Sequence, residues 1–316
     1  MRPLFLVVAL MVVVTAAACG NAPDPVGPRP SPTATLEARG TPANGVSVTD
    51  MAAREITVPA RPVRFVALSH SAVEFLLALG LEPVGRPADV TLPEVASVPA
   101  VGSTLSPDFP AIAALDPDIV IADAAFHRAR YRDFDQFPHP VFVIDVKSYE
   151  GVLDTLRALG EVTGREAEAA RQVDQVEEAV AAAKDRASTT APSVLIITGS
   201  GRDLYAGTAE TYLGSLVELL GARNVLAEAP DGAPIPGFGL VELAEAAALN
   251  PDVVLVITTG SGGLADAIRT SPAWAATPAV RDGRVHELDT ALFLRAPGPR
   301  VDEAVETLAS ILFGAR

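Results

Sequence analysis

The segment 126–132, of sequence FHRARYR, has the side chains most suited to binding a ligand. It places three arginines and a histidine beside two aromatic rings. Arginine forms charge-assisted hydrogen bonds to carboxylates and stacks on conjugated faces. The pattern predicts a site for an anionic, conjugated ligand, although it also fits the solvated start of an ordinary helix. The contacts expected from this segment are Phe126, His127, Arg128, Arg130 and Tyr131.

Other candidates occupy loops that follow predicted strands. In open parallel sheets, ligands bind beyond the carboxyl ends of the strands. Short apolar runs predict strands that lead into the loops 69–71, 123–133, 199–207, 259–263 and 290–297. These loops add a further set of predicted ligand contacts, namely His70, Arg202, Tyr205, Phe293 and Arg295.

Direct metal binding and catalysis find little support in the sequence. The chain has one cysteine and no HExxH motif, so we expect no bare metal site and no intrinsic cofactor. His70, His127 and Tyr131 are candidates for an axial bond to the iron of a bound heme, although an isolated histidine is usually structural. The segment Gly199-Ser200-Gly201 lacks the spacing of a nucleotide-binding or nucleophile motif. We therefore predict no catalytic residue and no enzymatic activity.

Short apolar strands alternate with helical patterns in both halves of the chain. This alternation is typical of parallel sheets covered by helices on both faces. The segment 115–121, LDPDIVI, is echoed by the segment 249–255, LNPDVVL, at the equivalent place in the second half. We predict an α/β fold of two lobes, residues 49–147 and 191–316, each with a central, mainly parallel sheet flanked by helices.

The stretch between the lobes, residues 148–190, reads as connecting helices. Apolar residues recur there at helical spacing, interrupted at Gly164. Ser148 is a suitable N-cap, and the second helix, residues 166–186, would be about 30 Å long. We predict one long backbone helix that joins the two lobes; the alternative is an ordinary surface helix within a single domain.

The N-terminus carries an export signal. Arg2 precedes a short apolar run and small residues, which predicts a signal peptide over residues 1–18. Ala-Ala-Ala-Cys (16–19) resembles a lipobox, so we expect Cys19 to be lipidated and residues 19–48, rich in Pro and Gly, to form a flexible tether. A plain secreted protein is the alternative. The expected location is therefore extracytoplasmic and membrane-anchored, and the net charge of −15 argues against nucleic acid as a partner.

Six segments carry a family resemblance through their order and spacing: RFVALSHSAVEFLLALGLEPVG (64–85), VGSTLSPDFPAIAALDPDIVIA (101–122), LGEVTGREAEA (159–169), LVELLGARNV (216–225), LNPDVVLV (249–256) and APGPR (296–300). Together they resemble the substrate-binding lipoproteins of ABC importers for ferric siderophores, vitamin B12 and heme, the helical-backbone metal receptors. The resemblance covers about residues 50–315. It implies a metal-chelate ligand, lobes that move little, and two partners, the ABC permease and its ATPase.

The same resemblance implies one acidic residue in each lobe that meets arginines of the permease. In the first lobe the position expected for a glutamate is Pro110, so Asp108 is the candidate there. In the second lobe the matching position is Ala244, and the nearby Glu242 and Glu245 are the candidates. These acids also fit ordinary solvated helix residues.

The predicted function is capture of an iron chelate between the lobes by a monomer, followed by delivery to the permease. A ferric siderophore is the first choice because arginine favours carboxylate or catecholate ligands, and heme and cobalamin come next. The alternative from another class is a membrane-tethered interaction or sensor module with the same clamp fold and no transport role. Pro110 at the expected docking position favours that alternative.

Overall fold

A computed structural model describes residues 45–187, 191–200, 203–226, 228–229, 237–260 and 262–314, all within one compact unit. The first lobe contains the strands β1 (Gly45–Thr49), β2 (Glu55–Pro59), β3 (Phe65–Ala67), β4 (Gly102–Ser103), β5 (Ser106–Pro107), β6 (Ile119–Asp123) and β7 (Val141–Ile144). Its helices are α1 (His70–Ala78), α2 (Phe109–Ala114), α3 (Ala124–His127) and α4 (Tyr131–Gln136).

The central sheet of the first lobe has three parallel strands in the order β3-β6-β7. Phe65 pairs with Ile119, and Val120 pairs with Val141. Every residue of these strands is buried, because helices or other segments cover both faces. The carboxyl ends of the three strands therefore meet at one edge of the sheet, as the sequence predicts.

Two helices connect the lobes: α5 (Tyr149–Thr163) and α6 (Glu166–Lys184). Ser148 caps α5 by accepting a hydrogen bond from the Gly151 amide at 3.2 Å, which confirms the predicted N-cap. Gly164 ends the helix in the left-handed region at φ 67°, where a side chain would be strained. Buried valines of α6 belong to one apolar core that continues into both lobes, so the lobes share a continuous hydrophobic contact.

The second lobe contains the strands β8 (Ser193–Ser200), β9 (Asp203–Gly207), β10 (Arg223–Asn224), β11 (Phe238–Leu240), β12 (Val253–Thr258) and β13 (Val285–Glu287). Its helices are α7 (Tyr212–Leu219), α8 (Leu243–Ala247), α9 (Leu264–Thr270), α10 (Pro278–Arg281) and α11 (Val301–Phe313), with a π-helical turn at Ala291–Arg295.

The sheet of the second lobe runs in the order β11-β9-β8-β12-β13, with β10 beside β8. The strands β10, β8, β12 and β13 are parallel, whereas β9 runs antiparallel to β8 and β11 runs antiparallel to β9. The predicted ligand loop 199–207 is therefore wrong for residues 199–200 and 203–207, which belong to the paired strands β8 and β9, and residues 201–202 lie outside the described ranges. The α/β fold with mainly parallel sheets is confirmed.

Matching turns support the internal repeat. Asp116 and Asn250 both adopt φ 49°, in the turns that precede β6 and β12. Two residues further on, Asp118 accepts a hydrogen bond from the Arg64 amide at 2.9 Å and Asp252 accepts one from the Ser193 amide at 2.8 Å. Each aspartate thus ties its turn to the start of the neighbouring strand, which explains why both halves use a Pro-Asp sequence here.

The start of the folded region differs from the predicted one. Residues 45–48 were expected in the tether, but they belong to β1, which pairs antiparallel with β2. The alternation of Val46 and Val48 with polar residues would have signalled this strand. Within the described ranges, no helix has the length and the apolar character needed to cross a membrane.

Candidate binding site between the lobes

The end of β6 is organised around a buried carboxylate. Asp123 is 4% exposed and caps the short helix α3 by accepting a hydrogen bond from the Ala125 amide at 2.9 Å. Burial raises the pKa of Asp123 to about 6, although hydrogen bonds from Ala125 and Ser69 act in the opposite direction. Because Ser69 follows β3, Asp123 links the ends of two adjacent parallel strands beneath the predicted ligand loops.

His127 occupies the protein interior, in contrast to its predicted role as a ligand contact. Its ring is fully buried, and Nδ1 accepts a hydrogen bond from the Asp123 amide at 3.0 Å. Nε2 then donates to the Thr104 carbonyl at 2.8 Å, so both ring nitrogens are occupied. Burial lowers the pKa of His127 and keeps the ring neutral. The residue connects the end of β6 to the turn between β4 and β5.

The remaining residues of the FHRARYR segment reach the surface to different extents. Arg128 is exposed, and Phe126 and Arg130 are half-buried. Arg130 forms an ion pair with Asp133 at 3.4 Å, a contact between largely solvated groups. Tyr131 is half-buried under the Arg54 guanidinium, which lies 5.1 Å from the ring centre. Two arginines and two aromatic rings are therefore at least partly exposed after β6.

The predicted contacts from the second lobe are more scattered. Arg295 is exposed at the end of the π-helical turn, whereas Phe293 in the same turn is 2% exposed and packs in the apolar core. Phe293 is thus a core residue, in contrast to its predicted ligand contact. Tyr205 is half-buried on β9, where it pairs with Thr198 of β8. Arg202 and Cys19 lie outside the described residues.

Two acidic residues that sequence reasoning missed lie opposite cations of the second lobe. Asp89 accepts a hydrogen bond from the Thr104 amide at 2.8 Å. Burial alone would raise the pKa of Asp89, but the Thr104 hydrogen bonds and the charge of Arg295 lower it. Glu74, on α1, is 6% exposed and lies 3.0 Å from Arg300 at the start of α11. An acid inside the apolar pattern of α1 was the available signal for Glu74.

The candidate docking acids lie at helix starts. Asp108 is exposed and caps α2 through the Ala111 amide at 3.0 Å, with Pro110 in the first turn. Glu242 occupies the equivalent position before α8, where it makes no capping hydrogen bond, and Glu245 is exposed in the first turn. Because α2 and α8 each lead into a parallel strand, both helices begin at the same edge as the ligand loops.

Two large apolar side chains accompany these acids. Leu105, in the turn between β4 and β5, is 72% exposed, and Leu240, at the end of β11, is 65% exposed. Leu105 precedes Asp108 by three residues, and Leu240 precedes Glu242 by two.

A separate groove of about 520 Å³ lies at the opposite edge of the first lobe, where Pro117 and Pro140 precede their strands. Arg54, whose guanidinium lies over the Tyr131 ring, is one of its lining residues, so this groove adjoins the segment 126–132.

Comparison with known proteins identifies the family. The model of the periplasmic binding protein family matches residues 65–292, and the chain belongs to this family. The lipoprotein YvrC of Bacillus subtilis (strain 168), named an uncharacterized ABC transporter substrate-binding lipoprotein, is 26% identical over 315 residues, which cover 96% of this chain and 95% of YvrC. The Fe(3+) dicitrate-binding periplasmic protein FecB of Escherichia coli (strain K12) is 29% identical over 254 residues, which cover 77% of this chain and 82% of FecB.

A solved structure confirms the two-lobed fold. The petrobactin-binding protein YclQ from Bacillus subtilis superposes with a TM-score of 0.74 at 20% identity, over 85% of this chain and 98% of YclQ. Further relatives are named a cobalamin-binding protein and a high-affinity heme uptake system protein. The predicted class, a substrate-binding protein of an ABC transporter, is confirmed. Such proteins are transport components, so the chain is not an enzyme.

Proposed function

We propose that this protein captures an iron chelate between its two lobes and delivers it to the permease of an ABC importer, with a ferric siderophore as the first choice. The observation that carries the proposal is the set of arginines at the carboxyl edges of both sheets: Arg128, Arg130 and Arg295. In a chain of net charge −15, cations gathered at the ligand edge favour an anionic ligand. FecB, the relative named for ferric dicitrate, supports the same class of ligand.

The site would hold the ligand through charge-assisted hydrogen bonds from arginines and through stacking on aromatic rings. Arg128 and Arg295 are exposed and would form paired hydrogen bonds to carboxylate or catecholate oxygens of the ligand. Phe126 and Tyr131 offer partly exposed rings beside them, and Tyr205 offers one from the second lobe. His127 and Phe293 belong to the supporting layer, because both are buried.

Heme and cobalamin are the next choices of ligand. Relatives named for cobalamin binding and for heme uptake support both molecules as candidate ligands. For heme, His70 and Tyr131 are the candidates for the axial position, because each has a partly exposed side chain at the ligand edge. The bound molecule would in every case be cargo rather than a resident cofactor.

Docking to the permease would use the helix starts at this edge. Asp108 in the first lobe and Glu242 with Glu245 in the second would meet arginines of the permease. The exposed Leu105 and Leu240 would add an apolar contact beside each acid. Pro110 in place of an acid favours a second candidate, a tethered interaction or sensor module without a transport role. Binding of the loaded protein to its permease, lost on Glu242→Ala together with Glu245→Ala, would exclude that candidate.

The membrane anchor would be a lipid on Cys19. YvrC is named a lipoprotein, and Cys19 follows the small residues expected before a lipobox cysteine. Cys19→Ala should release the protein from the membrane fraction, which fractionation of expressing cells would measure.

The first test is an absorption spectrum of the full-length protein after mixing with ferric dicitrate, ferric enterobactin, hemin or cyanocobalamin, followed by desalting. A ferric-chelate band that stays with the protein and is lost in Arg128→Ala and Arg295→Ala variants would support the siderophore proposal. Arg171→Ala is the matched control, because Arg171 is an exposed arginine on the connecting helix α6. A retained Soret band would favour heme, and retention of no probe would contradict the transport function.

A further inference from the structure

Glu74 is a buried carboxylate at the contact between the two lobes. It lies on α1 of the first lobe and is 6% exposed. Oε1 accepts a hydrogen bond from Nε of Arg300 at 3.1 Å and lies 3.0 Å from a second guanidinium nitrogen. The other side of Arg300 contacts Glu303 at 3.2 Å. Arg300, at the start of α11, therefore neutralises a charge that burial would otherwise make costly.

This contact joins the lobes electrostatically. Within the described ranges, Glu74–Arg300 is the only ion pair between residues 45–147 and residues 191–314. Apolar contacts tolerate small displacements, whereas the Glu74–Arg300 pair, in which only the carboxylate is buried, requires the guanidinium at hydrogen-bonding distance. Arg300 therefore holds the Glu74 carboxylate in one position beside the first turn of α1.

That first turn carries His70. Its Nε2 lies 3.5 Å from Oε1 of Glu74, an electrostatic contact that is longer than a good hydrogen bond. Nε2 is buried, whereas the His70 side chain as a whole is 18% exposed. The exposed part of the ring is therefore not the Nε2 edge. A carboxylate beside Nε2 favours the proton on that nitrogen and leaves Nδ1 with a free lone pair.

Fewer of the polar atoms around His70 have hydrogen-bond partners than of those around His127. Among the described residues, His70 Nε2, Glu74 Oε2 and the Tyr212 hydroxyl are buried without a hydrogen-bond partner. Tyr212 lies on α7 of the second lobe, and burial together with the Glu74 charge raises its pKa, so the hydroxyl stays neutral. The neutral hydroxyl and the carboxylate oxygen thus each have unused hydrogen-bonding capacity.

We propose that Glu74 is a positioning residue for the binding site: held by Arg300, it keeps the Nε2 edge of His70 turned inward, so that His70 contacts the captured ligand through Nδ1. The ligand class is then one that offers a hydrogen-bond donor at this point. The contact with ligand rests on the proposed function, whereas the positioning of His70 does not. Sequence spacing alone hides this link, since Glu74 and Arg300 are 226 residues apart.

The contact is tested with two isosteres of His70. An asparagine amide lies near the position of Nδ1, and a glutamine amide lies near that of Nε2. His70→Asn keeps an acceptor oxygen near Nδ1 and should bind the retained probe of the panel (ferric dicitrate, ferric enterobactin, hemin or cyanocobalamin) within about threefold of wild type. His70→Gln should lose about fivefold, the value of one hydrogen bond of about 1 kcal/mol. Equal affinities of the two variants, or the reverse order, would overturn the Nδ1 contact.

The positioning is tested without any ligand. The chain has four histidines, so nitrogen NMR of the rings gives a simple spectrum, in which His70→Asn identifies the His70 signals. Wild-type His70 should carry its proton on Nε2, and Glu74→Gln should shift population toward the Nδ1–H form. Glu303→Gln is the matched control, because it removes the other acid on Arg300 and should leave the His70 signals unchanged.

A tautomer that stays the same in Glu74→Gln would overturn the positioning role. Should Glu74→Gln fail to fold, Arg300→Lys decides: it keeps the positive charge but loses the planar fork, and it should raise the Nδ1–H population of His70. If no probe is retained by the wild-type protein, the proposed function has failed, and the NMR result still stands or falls by itself.

Discussion

His127 and His70 follow adjacent parallel strands, β6 and β3, yet their ring nitrogens have different surroundings. Both nitrogens of His127 have hydrogen-bond partners inside the first lobe. His70 has a buried Nε2 beside a carboxylate that the second lobe holds, and a partly exposed ring. A histidine whose two ring nitrogens both have partners inside the fold can only support structure. His70, by contrast, has a partly exposed ring that a ligand can reach.

The two buried carboxylates at this edge differ in the same way. Asp123 is compensated by an amide and by hydroxyl groups of its own lobe. Glu74 is compensated by the guanidinium of Arg300 in the other lobe. Substitution of Asp123 should therefore affect the stability of the first lobe alone, whereas substitution of Glu74 should affect the contact between the lobes. This difference yields predictions that separate folding from binding.

The largest effect is expected for His127→Ala. Removing the ring leaves a cavity and deprives the Asp123 amide and the Thr104 carbonyl of their partner. We expect a loss of about 4 kcal/mol in the free energy of unfolding. Urea denaturation measures it, with the half-buried His286→Ala as the control, expected to lose less than about 1 kcal/mol.

The same variant tests the comparison of the two histidines. Folded His127→Ala should keep the probe affinity of wild type, while His70→Gln should keep wild-type stability and lose affinity. If His127→Ala unfolds as easily as wild type but binds tenfold more weakly, the division between support and contact is wrong.

A smaller effect on stability is expected from Asp123 through pH. Burial raises the folded-state pKa of Asp123 to about 6, above the ordinary value of 3.8. The folded state thus binds the proton more tightly than the unfolded state, and stability from this group is lost as pH rises from about 4 to 6. Two pKa units correspond to about 3 kcal/mol.

The Asp123→Asn variant isolates this contribution. The asparagine oxygen can still cap α3, so the variant should lack the pH-dependent loss and exceed wild type in stability at pH 7. Denaturation curves of both proteins at several pH values between 4 and 7 give the difference directly. A difference that does not change with pH would show that Asp123 titrates normally.

Much of the fold can be predicted from hydrophobic periodicity and from the residue types at turns and helix caps. The apolar runs of β6, β7, β8 and β12 and the Ser148 cap are visible in the sequence, because each depends on neighbouring residues. The site is less predictable, because burial depends on distant segments: His127 is covered by Thr104, and Phe293 packs into a core shared by both lobes. Sequence reasoning does not predict the pairing of β8 with β9, because a glycine-rich segment is typical of ligand loops as well as of connections between paired strands.

The smallest effect is expected from Asp89, the acid that faces Arg295. Its carboxylate is oriented by the Thr104 amide and feels the charge of Arg295, so it competes with an anionic ligand for that arginine. Asp89→Asn keeps an oxygen for the Thr104 amide and removes the competing charge. We expect about threefold tighter binding of ferric dicitrate, the value of a partly screened charge pair, measured by titration at low salt. Asp154→Asn, which removes the acid beside the exposed Arg157 on the connecting helix α5, is the matched control and should leave the affinity unchanged. Weaker binding in Asp89→Asn would mean that Asp89 contacts the ligand itself instead of competing with it for Arg295.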